Sequence, residues 1–290
     1  MQNVVGFSLL GAVLCAAAVI AAQPGAPPGA QSATTPSTIP NFMPDVQTSW
    51  YPDRPAGDDF LPPESGPGPV LADPAHPYVT NQAGQPTYRV ADLSNPILKP
   101  WAIEQMKTAN DEVLAGKVPF VARERCWPGG VPAYDIYRRV SPTFIIQTPK
   151  LVLLVWRSDS QLRHVYMNVP HTANPKPSWY GESVGHYEGD TLVVDTIGQN
   201  DKTFIDNYRT PHTEQIHVVE RFRLIENGNK LEVSIEVDDP GAFNVPWRAI
   251  QRFRRYTDEG LGRETVCAEN NTNFLSYDVK PIPQATQADF

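Results

Sequence analysis

The feature that most constrains this fold is a series of short segments between residues 143 and 256 in which apolar and polar residues alternate. Alternation with period two is typical of β-strands that bury one face. Turn sequences around Gly189 and Gly228 separate two pairs of these segments and favour hairpins. Because no helical pattern intervenes, the sequence predicts a mainly β, antiparallel barrel or sandwich. The predicted strands are 143–148, 151–157, 163–169, 183–187, 191–197, 216–224, 230–238 and 247–256.

Proline limits where this β domain can begin. The chain has 290 residues and 30 prolines, of which 17 lie within residues 23–100. Proline lacks a backbone N–H and fixes φ, so such a stretch excludes regular helices and central strands. We therefore expect a proline-rich, partly disordered arm over 23–95 and a β-barrel domain over 96–290, with one N-terminal helix over 101–115. Aromatic residues late in the arm favour packing against the domain.

The first 22 residues have the pattern of a signal peptide. Residues 4–22 carry no charge, and the run ends on the small residues Ala21 and Ala22. A membrane anchor is the alternative, because an apolar run of this length can just span a bilayer. The pattern predicts export to the periplasm or the medium, with membrane contact only through an uncleaved leader.

Two cysteines, Cys126 and Cys267, follow the leader. An even number of cysteines in an exported protein favours a disulfide, which here would join the start of the domain to its end. Two buried free thiols are the alternative.

Charge and motifs exclude several classes of function. The formal net charge is −8, whereas a general nucleic-acid binder has a basic surface. The sequence contains no dinucleotide-binding glycine motif, no phosphate-binding loop and no nucleophile-elbow motif. We therefore expect no cofactor and no nucleic-acid partner, and we expect a small molecule as the ligand.

Histidine is concentrated in one part of the chain, where five of the six fall within residues 164–217. Histidine is the usual general base near neutral pH and the commonest metal ligand. The spacing matches no standard zinc motif, so we predict no metal site. The histidines on predicted strands can equally be ordinary structural residues of the sheet. The five are His164, His171, His186, His212 and His217.

The loop 169–182 is a candidate ligand site that presents His171, Trp179 and Tyr180. Loops at one end of a β scaffold concentrate ligand contacts. Trp179 and Tyr180 can stack on a flat ligand. The structural alternative is that Trp179 plugs the end of the barrel.

The loop 198–215 presents Asp206 and His212. An aspartate beside a histidine can orient it for proton transfer. The structural alternative is that Asp206 caps a turn.

Glu220 is a carboxylate on a predicted apolar strand face, which it shares with Val218 and Phe222. A carboxylate there is costly unless it is paired or used in chemistry. Both interpretations stay open at this point. In the first, the partner is an arginine of a neighbouring strand such as Arg248 or Arg252.

Several motifs occur together in the second half of the chain. They comprise Pro170-His171, Pro177-Ser178-Trp179-Tyr180-Gly181, Ser183-Val184-Gly185, Glu188-Gly189-Asp190-Thr191-Leu192-Val193-Val194-Asp195-Thr196, Pro211-His212-Thr213, Val219-Glu220-Arg221-Phe222, Asp239-Pro240 and Pro246-Trp247, with Trp101, Cys126 and Cys267 outside them. Together they resemble a family of exported bacterial proteins of uncharacterised function, in which Tyr187 is usually Trp and His186 often Arg. The hairpin and the closing motif also resemble lipocalin-like barrels, which implies a fold and no activity.

The first hypothesis of function is a cofactor-independent lyase, isomerase or hydratase that acts on an apolar or aromatic substrate. In this hypothesis His171 or His212 acts as the base, and Glu220 acts as the acid or the orienting carboxylate. Arg221 or Tyr180 stabilises developing negative charge.

Two other hypotheses use the same region of the chain. One is a noncatalytic binder of a small ligand, with Trp179 as the stacking platform. The other is a hydrolase whose metal ion is held by three of the clustered histidines.

Overall fold

The computed structural model describes residues 39–53, 59–77, 89–117, 126–133, 136, 142–157 and 161–257. Within these residues the chain forms nine β-strands and one α-helix of more than one turn. The predicted signal peptide lies outside the described residues. The elements are β1 (Thr48–Pro52), α1 (Pro100–Leu114), β2 (Thr143–Gln147), β3 (Leu151–Trp156), β4 (Gln161–Met167), β5 (Glu182–Glu188), β6 (Thr191–Ile197), β7 (His217–Ile225), β8 (Lys230–Asp238) and β9 (Trp247–Thr257).

The strands close a barrel. Each strand pairs with its neighbours in chain order, and β1 pairs with both β2 and β9. The predicted mainly β barrel with one helix is confirmed. One junction differs, because β4 and β5 run parallel with Val165 opposite Ser183. Residues 168–181 form the long crossover that a parallel pair requires, so the antiparallel expectation is wrong at this junction.

The proline-rich arm supplies part of the barrel. β1 lies within the arm and pairs with β9 along its whole length. Trp50 of β1 is fully buried and donates its indole N–H to the carbonyl oxygen of Phe42 at 2.9 Å. Phe42 and Phe60 are also buried in the core. The described residues of 39–95 thus belong to the same compact unit as the other strands.

The helix α1 begins and ends one residue before the predicted bounds. Pro100 occupies its first turn, where a missing N–H breaks no hydrogen bond. Two large apolar residues of the helix, Trp101 and Leu114, are exposed. None of the helices in the described part of the chain combines the length and hydrophobicity needed to cross a membrane. The buried residues of α1 are Ala102, Met106, Ala109 and Asn110.

Large side chains fill the core. Trp50, Trp156 and Trp247 are fully buried, as are Phe144 and Phe222. The alternation predicted for β8 holds, since every second residue from Leu231 to Val237 is buried. Bulky side chains therefore occupy the interior of the barrel.

Candidate functional site

A recess opens beside β4 because β4 and β5 pair along only part of their length. Pairing covers Val165–Met167, so residues 161–164 of β4 pair with no residue of β5. The chain that precedes β5 turns away instead, and Ser178 forms a bridge with Gln199. The gap between β4 and residues 178–181 is a cavity of about 520 Å³, which we call the β4 recess.

Aromatic rings form much of the β4 recess. His164 and Tyr166 project from the outer face of β4, with ring centroids 6.3 Å apart and ring planes 14° apart. Trp179 and Tyr180 line the recess from the crossover. The recess therefore offers ring surfaces beside amide and hydroxyl groups. Its other lining residues are Cys126, Pro128, Gln161, Leu162, Arg163, Ser178 and Gly181.

Trp179 and Tyr180 are held by their neighbours. The ring of Trp179 packs on that of Trp127 with centroids 5.3 Å apart, and the ammonium group of Lys202 lies 5.9 Å from the Trp179 ring centroid. The hydroxyl of Tyr180 donates a hydrogen bond to the side-chain oxygen of Gln161. The structure thus brings these two predicted ligand contacts together in one cavity.

His171, a predicted base, does not line the β4 recess. Its Nδ1 lies 3.0 Å from Oε1 of Glu182, and its Nε2 lies 2.9 Å from Oδ1 of Asp195. Both nitrogens can donate only when the imidazole is protonated. Glu182 also accepts hydrogen bonds from the amide and the hydroxyl of Thr172. His171 therefore ties the crossover to β5 and β6, and both of its ring nitrogens are occupied.

Asp195 binds a second histidine. Nε2 of His217 lies 2.9 Å from the same oxygen, Oδ1. The hydrogen bond from His217 lowers the pKa of Asp195, and the same bond raises the pKa of His217. The side chain of His217 is 43% exposed, so Asp195 orients an imidazole that solvent can reach.

A second cavity, of about 450 Å³, lies on the outer face of β7–β9. Arg221, a predicted ligand contact, lines this outer groove and not the β4 recess. Arg221 donates a hydrogen bond to Glu188 at 2.6 Å, and this bond lowers the pKa of Glu188. His217 lies on the same face of β7, two residues before Val219. The groove is lined by Val219, Arg221, Ser234, Glu236 and Arg248.

His212, the other predicted base, is buried and bonded at both ring nitrogens. Its Nδ1 donates to the carbonyl oxygen of Thr213 at 3.1 Å, and its Nε2 accepts from the hydroxyl of Thr203 at 2.8 Å. Burial lowers the pKa of His212. The side chain is a neutral structural imidazole without a ring nitrogen for a substrate.

Asp206 caps a turn, as the structural alternative predicts. Its Oδ1 accepts hydrogen bonds from the amides of Tyr208 at 2.9 Å and Thr210 at 3.1 Å. Its Oδ2 accepts one from the hydroxyl of Thr210 at 2.7 Å. Burial raises the pKa of Asp206 to about 6. These bonds close a turn and do not orient a histidine.

Glu220 lies inside the barrel and pairs with Arg163 of β4. Nη1 of Arg163 donates to Oε1 of Glu220 at 3.0 Å, and Nη2 contacts Oε2. The same guanidinium donates to the hydroxyls of Ser183 at 3.2 Å and Thr196 at 2.9 Å. The carboxylate is therefore neutralised by its own protein.

The ion-pair interpretation of Glu220 is correct in kind, but the expected partners are wrong. Arg248 and Arg252 lie on the outer face, where they bind Glu236 and Glu232. The true partner, Arg163, lies on the inward face of β4, where the alternation of the strand also places Val165 and Met167. That alternation was the sequence signal for a buried arginine.

The three predicted catalytic residues do not meet in one site. On β6, Asp195 binds His171, whereas Val194 lies directly opposite Glu220. Successive residues of a strand point to opposite faces, so the barrel wall separates His171 from Glu220. His212 lies in a buried turn with other partners. These three residues therefore do not form one acid–base site.

Sequence reasoning missed four residues at these sites. His164 and Tyr166 were not assigned to the ligand site, and the pair of Asp195 and His217 was not recognised. His164 and Tyr166 alternate with inward-facing residues of β4, so two rings on an outer strand face were a readable signal. The pairing of Asp195 with His217 depends on the register of β6 with β7, which no local pattern specifies.

Cys126 forms part of the wall of the β4 recess. Its predicted partner Cys267 lies outside the described residues, so the disulfide stays a prediction. Across the described ranges, no group of three or more His, Cys, Asp or Glu side chains is arranged to hold a metal ion.

Comparison of the chain with protein-family models, with curated protein sequences and with solved structures finds no match. The family resemblance of the motifs therefore stays a prediction.

Proposed function

We propose that this protein is an exported, noncatalytic binder of small apolar or aromatic molecules, and that the β4 recess is its site. The observation that supports the proposal is the convergence of four rings on one open cavity of about 520 Å³. Cavities of roughly 300–1,000 Å³ with aromatic walls and a few polar groups are typical of small-molecule sites. The four rings belong to His164, Tyr166, Trp179 and Tyr180.

The recess suits a flat ligand because ring surfaces and hydrogen-bonding groups share its walls. Tyr166 is half exposed, so a ligand can cover its ring without displacing another side chain. The amide of Gln161 and the hydroxyl of Ser178 lie in the same walls. Stacking on an aromatic ring contributes about 0.5–1.5 kcal/mol beyond the burial of area, which favours flat over aliphatic ligands.

A fluorescence titration with 2-naphthol tests this proposal. Binding in the recess is expected to quench the emission of Trp179. Tyr166→Ala should raise the Kd about threefold to tenfold, since it removes one stacking surface. Tyr256→Ala is the matched control, because Tyr256 is an exposed tyrosine of β9 that packs on Tyr51. Equal affinities of the wild type and Tyr166→Ala, or no saturable binding, would contradict the proposal.

Export and the disulfide between Cys126 and Cys267 belong to the same proposal. They are supported by the uncharged apolar leader and by the even number of cysteines after it. Mass analysis of protein expressed with its leader tests both. We expect a chain that begins near Gln23 and gains two hydrogens on reduction. A full-length chain with three alkylatable thiols, Cys15 of the leader included, would be the opposite result.

An exported lyase, isomerase or hydratase is the second candidate, with a different acid–base pair. The observation that favours it is the hydrogen bond from His217 to Asp195, which raises the pKa of His217. His217 shares the outer face of β7 with Arg221, which lines the outer groove. A base oriented by a carboxylate can take a proton, and a guanidinium on the same strand face can stabilise the resulting anion.

Proton exchange in D₂O tests this second candidate. With phenylpyruvate as the probe, wild-type protein should accelerate deuterium uptake at the acidic C–H, and His217→Gln should lose about 100-fold of that rate. His186→Gln is the control, because His186 is an exposed histidine of β5 that binds Glu188. If the wild type does not exceed the buffer rate, the groove is not a site of this chemistry.

A further inference from the structure

The main chain of β4 has an open edge at the β4 recess. In a strand, the N–H and C=O of one residue point to the same side, and successive residues point to opposite sides. The amide of Met167 donates to Lys150 on the β3 side at 3.0 Å, and the amide of Asn168 donates to Gly185 on the β5 side at 2.7 Å. By this alternation, the main-chain groups of Leu162 and His164 point to the β5 side.

No strand lies opposite the first half of that edge in the described part of the chain. Pairing with β5 begins at Val165, and the chain before β5 follows residues 198–200 instead, with the amide of Ser178 3.0 Å from the carbonyl oxygen of Gly198. The N–H and C=O of Leu162 and the N–H of His164 therefore face the recess. Unpaired edge groups of this kind are a template for another strand.

We propose that the β4 recess binds an extended peptide, which adds as a short strand along Leu162 and His164 and places an aromatic side chain among the recess rings. Neighbouring strands lie about 4.8 Å apart, and recognition by strand addition combines main-chain hydrogen bonds with pockets for alternate side chains. The inference rests on the proposed function in that the same recess receives the ligand. It goes beyond the proposed function because it names a peptide as the ligand and a main-chain contact as the means of binding.

The charges around the recess select an acidic peptide. Among the described lining residues no side chain is a carboxylate, and the guanidinium of the lining residue Arg163 is paired with Glu220 inside the barrel. The ammonium group of Lys202 lies over the ring of Trp179. Glu182, the nearest acid along the crossover, is turned to His171 and Thr172. Acidic residues that flank an aromatic side chain therefore complement this surface.

N-methylated peptides test the main-chain contact directly. The probe is a fluorescein-labelled peptide of sequence Asp-Tyr-Val-Tyr-Asp, measured by fluorescence anisotropy with the full-length protein. Methylation of amides that face β4 should weaken binding about fivefold to tenfold each, and methylation of the amides between them should have less effect. A peptide with Lys in place of Asp should bind more weakly. A uniform response along the peptide, or equal binding of the Lys peptide, would overturn the inference.

A proline at Leu162 tests the same contact from the protein side. Leu162→Pro removes an N–H that β3 does not use, and proline is tolerated where the N–H of a strand faces outward. Leu162→Ala shortens the side chain but keeps the N–H. Peptide affinity should therefore fall about tenfold further in the proline variant than in the alanine variant, while 2-naphthol affinity should differ little between the two.

The outcomes separate this inference from the proposed function. Binding of 2-naphthol without peptide binding rejects the inference alone. Peptide binding with the predicted alternation, but without 2-naphthol binding, rejects the small-molecule proposal alone. Circular dichroism establishes whether Leu162→Pro folds, and if it does not, the N-methylated peptides decide.

Discussion

Arg163 and Glu220 form an ion pair across the barrel interior, with both side chains fully buried. They come from β4 and β7, which are not neighbours in the sheet, so the pair spans the interior. The hydroxyls of Ser183 and Thr196 accept further hydrogen bonds from the guanidinium. A buried ion with this many partners is tolerated, whereas a single buried charge costs several kcal/mol.

Removal of one partner should therefore cost more than removal of both. Arg163→Met is expected to lower the free energy of unfolding by about 3–5 kcal/mol, because it leaves Glu220 buried without a counter-ion. Combining it with Glu220→Met should restore part of that loss. Arg248→Met, which breaks an exposed ion pair with Glu236, is the control and should change little. Urea unfolding of Arg163→Met, Glu220→Met, the double variant and Arg248→Met measures these losses. Strictly additive losses of the two single variants would show that the pair is not coupled.

Trp50 should make the proline-rich arm part of the cooperative unit. Trp50→Ala is expected to lower the free energy of unfolding by about 3–5 kcal/mol, since it leaves a large cavity in the core. Val46→Ala, in the same arm but 75% exposed, should have little effect. Thermal unfolding followed by circular dichroism compares the two. Equal melting temperatures would mean that β1 does not contribute to global stability.

The strand β1 also shows which part of the fold the sequence could predict. The hairpin strands have alternation and turn residues within a few positions of each other, so β6, β7 and β8 were predicted nearly to the residue. β1 lies among prolines, and Thr48 pairs with Thr257 at the end of the last strand, β9. A pairing of such long range leaves no local pattern, and the parallel junction of β4 with β5 is of the same kind.

The residues of the candidate site were predictable only where the sequence indicates that a side chain is exposed. Trp179 and Tyr180 lie in a loop that is rich in proline, and the structure places both at one cavity. His171, His212 and Glu220 were grouped by residue type, whereas their positions depend on barrel register and on partners such as Asp195 and Arg163. Successive residues of a strand point to opposite faces of the sheet, so polar residues that are close in sequence can lie on different faces of the barrel.

Asp206 should make stability fall as the pH rises. Burial raises its pKa from 3.8 to about 6, so the folded protein binds this proton more tightly than the unfolded chain does. Its contribution is present in full below pH 3.8 and is lost as the pH rises through about 6. The difference corresponds to about 3 kcal/mol.

Asp206→Asn isolates this contribution. The amide of asparagine imitates the protonated carboxyl and can donate to the hydroxyl of Thr210, which Oδ2 contacts at 2.7 Å. The stability of the variant relative to the wild type should therefore increase between pH 4 and pH 7. Urea unfolding at four pH values in this range measures it. A difference that does not change with pH would contradict the assignment.

Gly181 should set the path of the loop that carries Trp179 and Tyr180. Its φ is +65°, and an added Cβ would lie 2.4 Å from the carbonyl oxygen of Ile197. Gly189 in the β5–β6 hairpin also has a positive φ, of +60°, but an added Cβ there meets nothing within 4 Å. Gly189→Ala should therefore cost only the backbone strain of about 1–2 kcal/mol, while Gly181→Ala must also displace the loop. We expect both variants to lower the Tm, and only Gly181→Ala to weaken the binding of 2-naphthol in the fluorescence titration. If both variants bind as the wild type does, the recess does not depend on this turn.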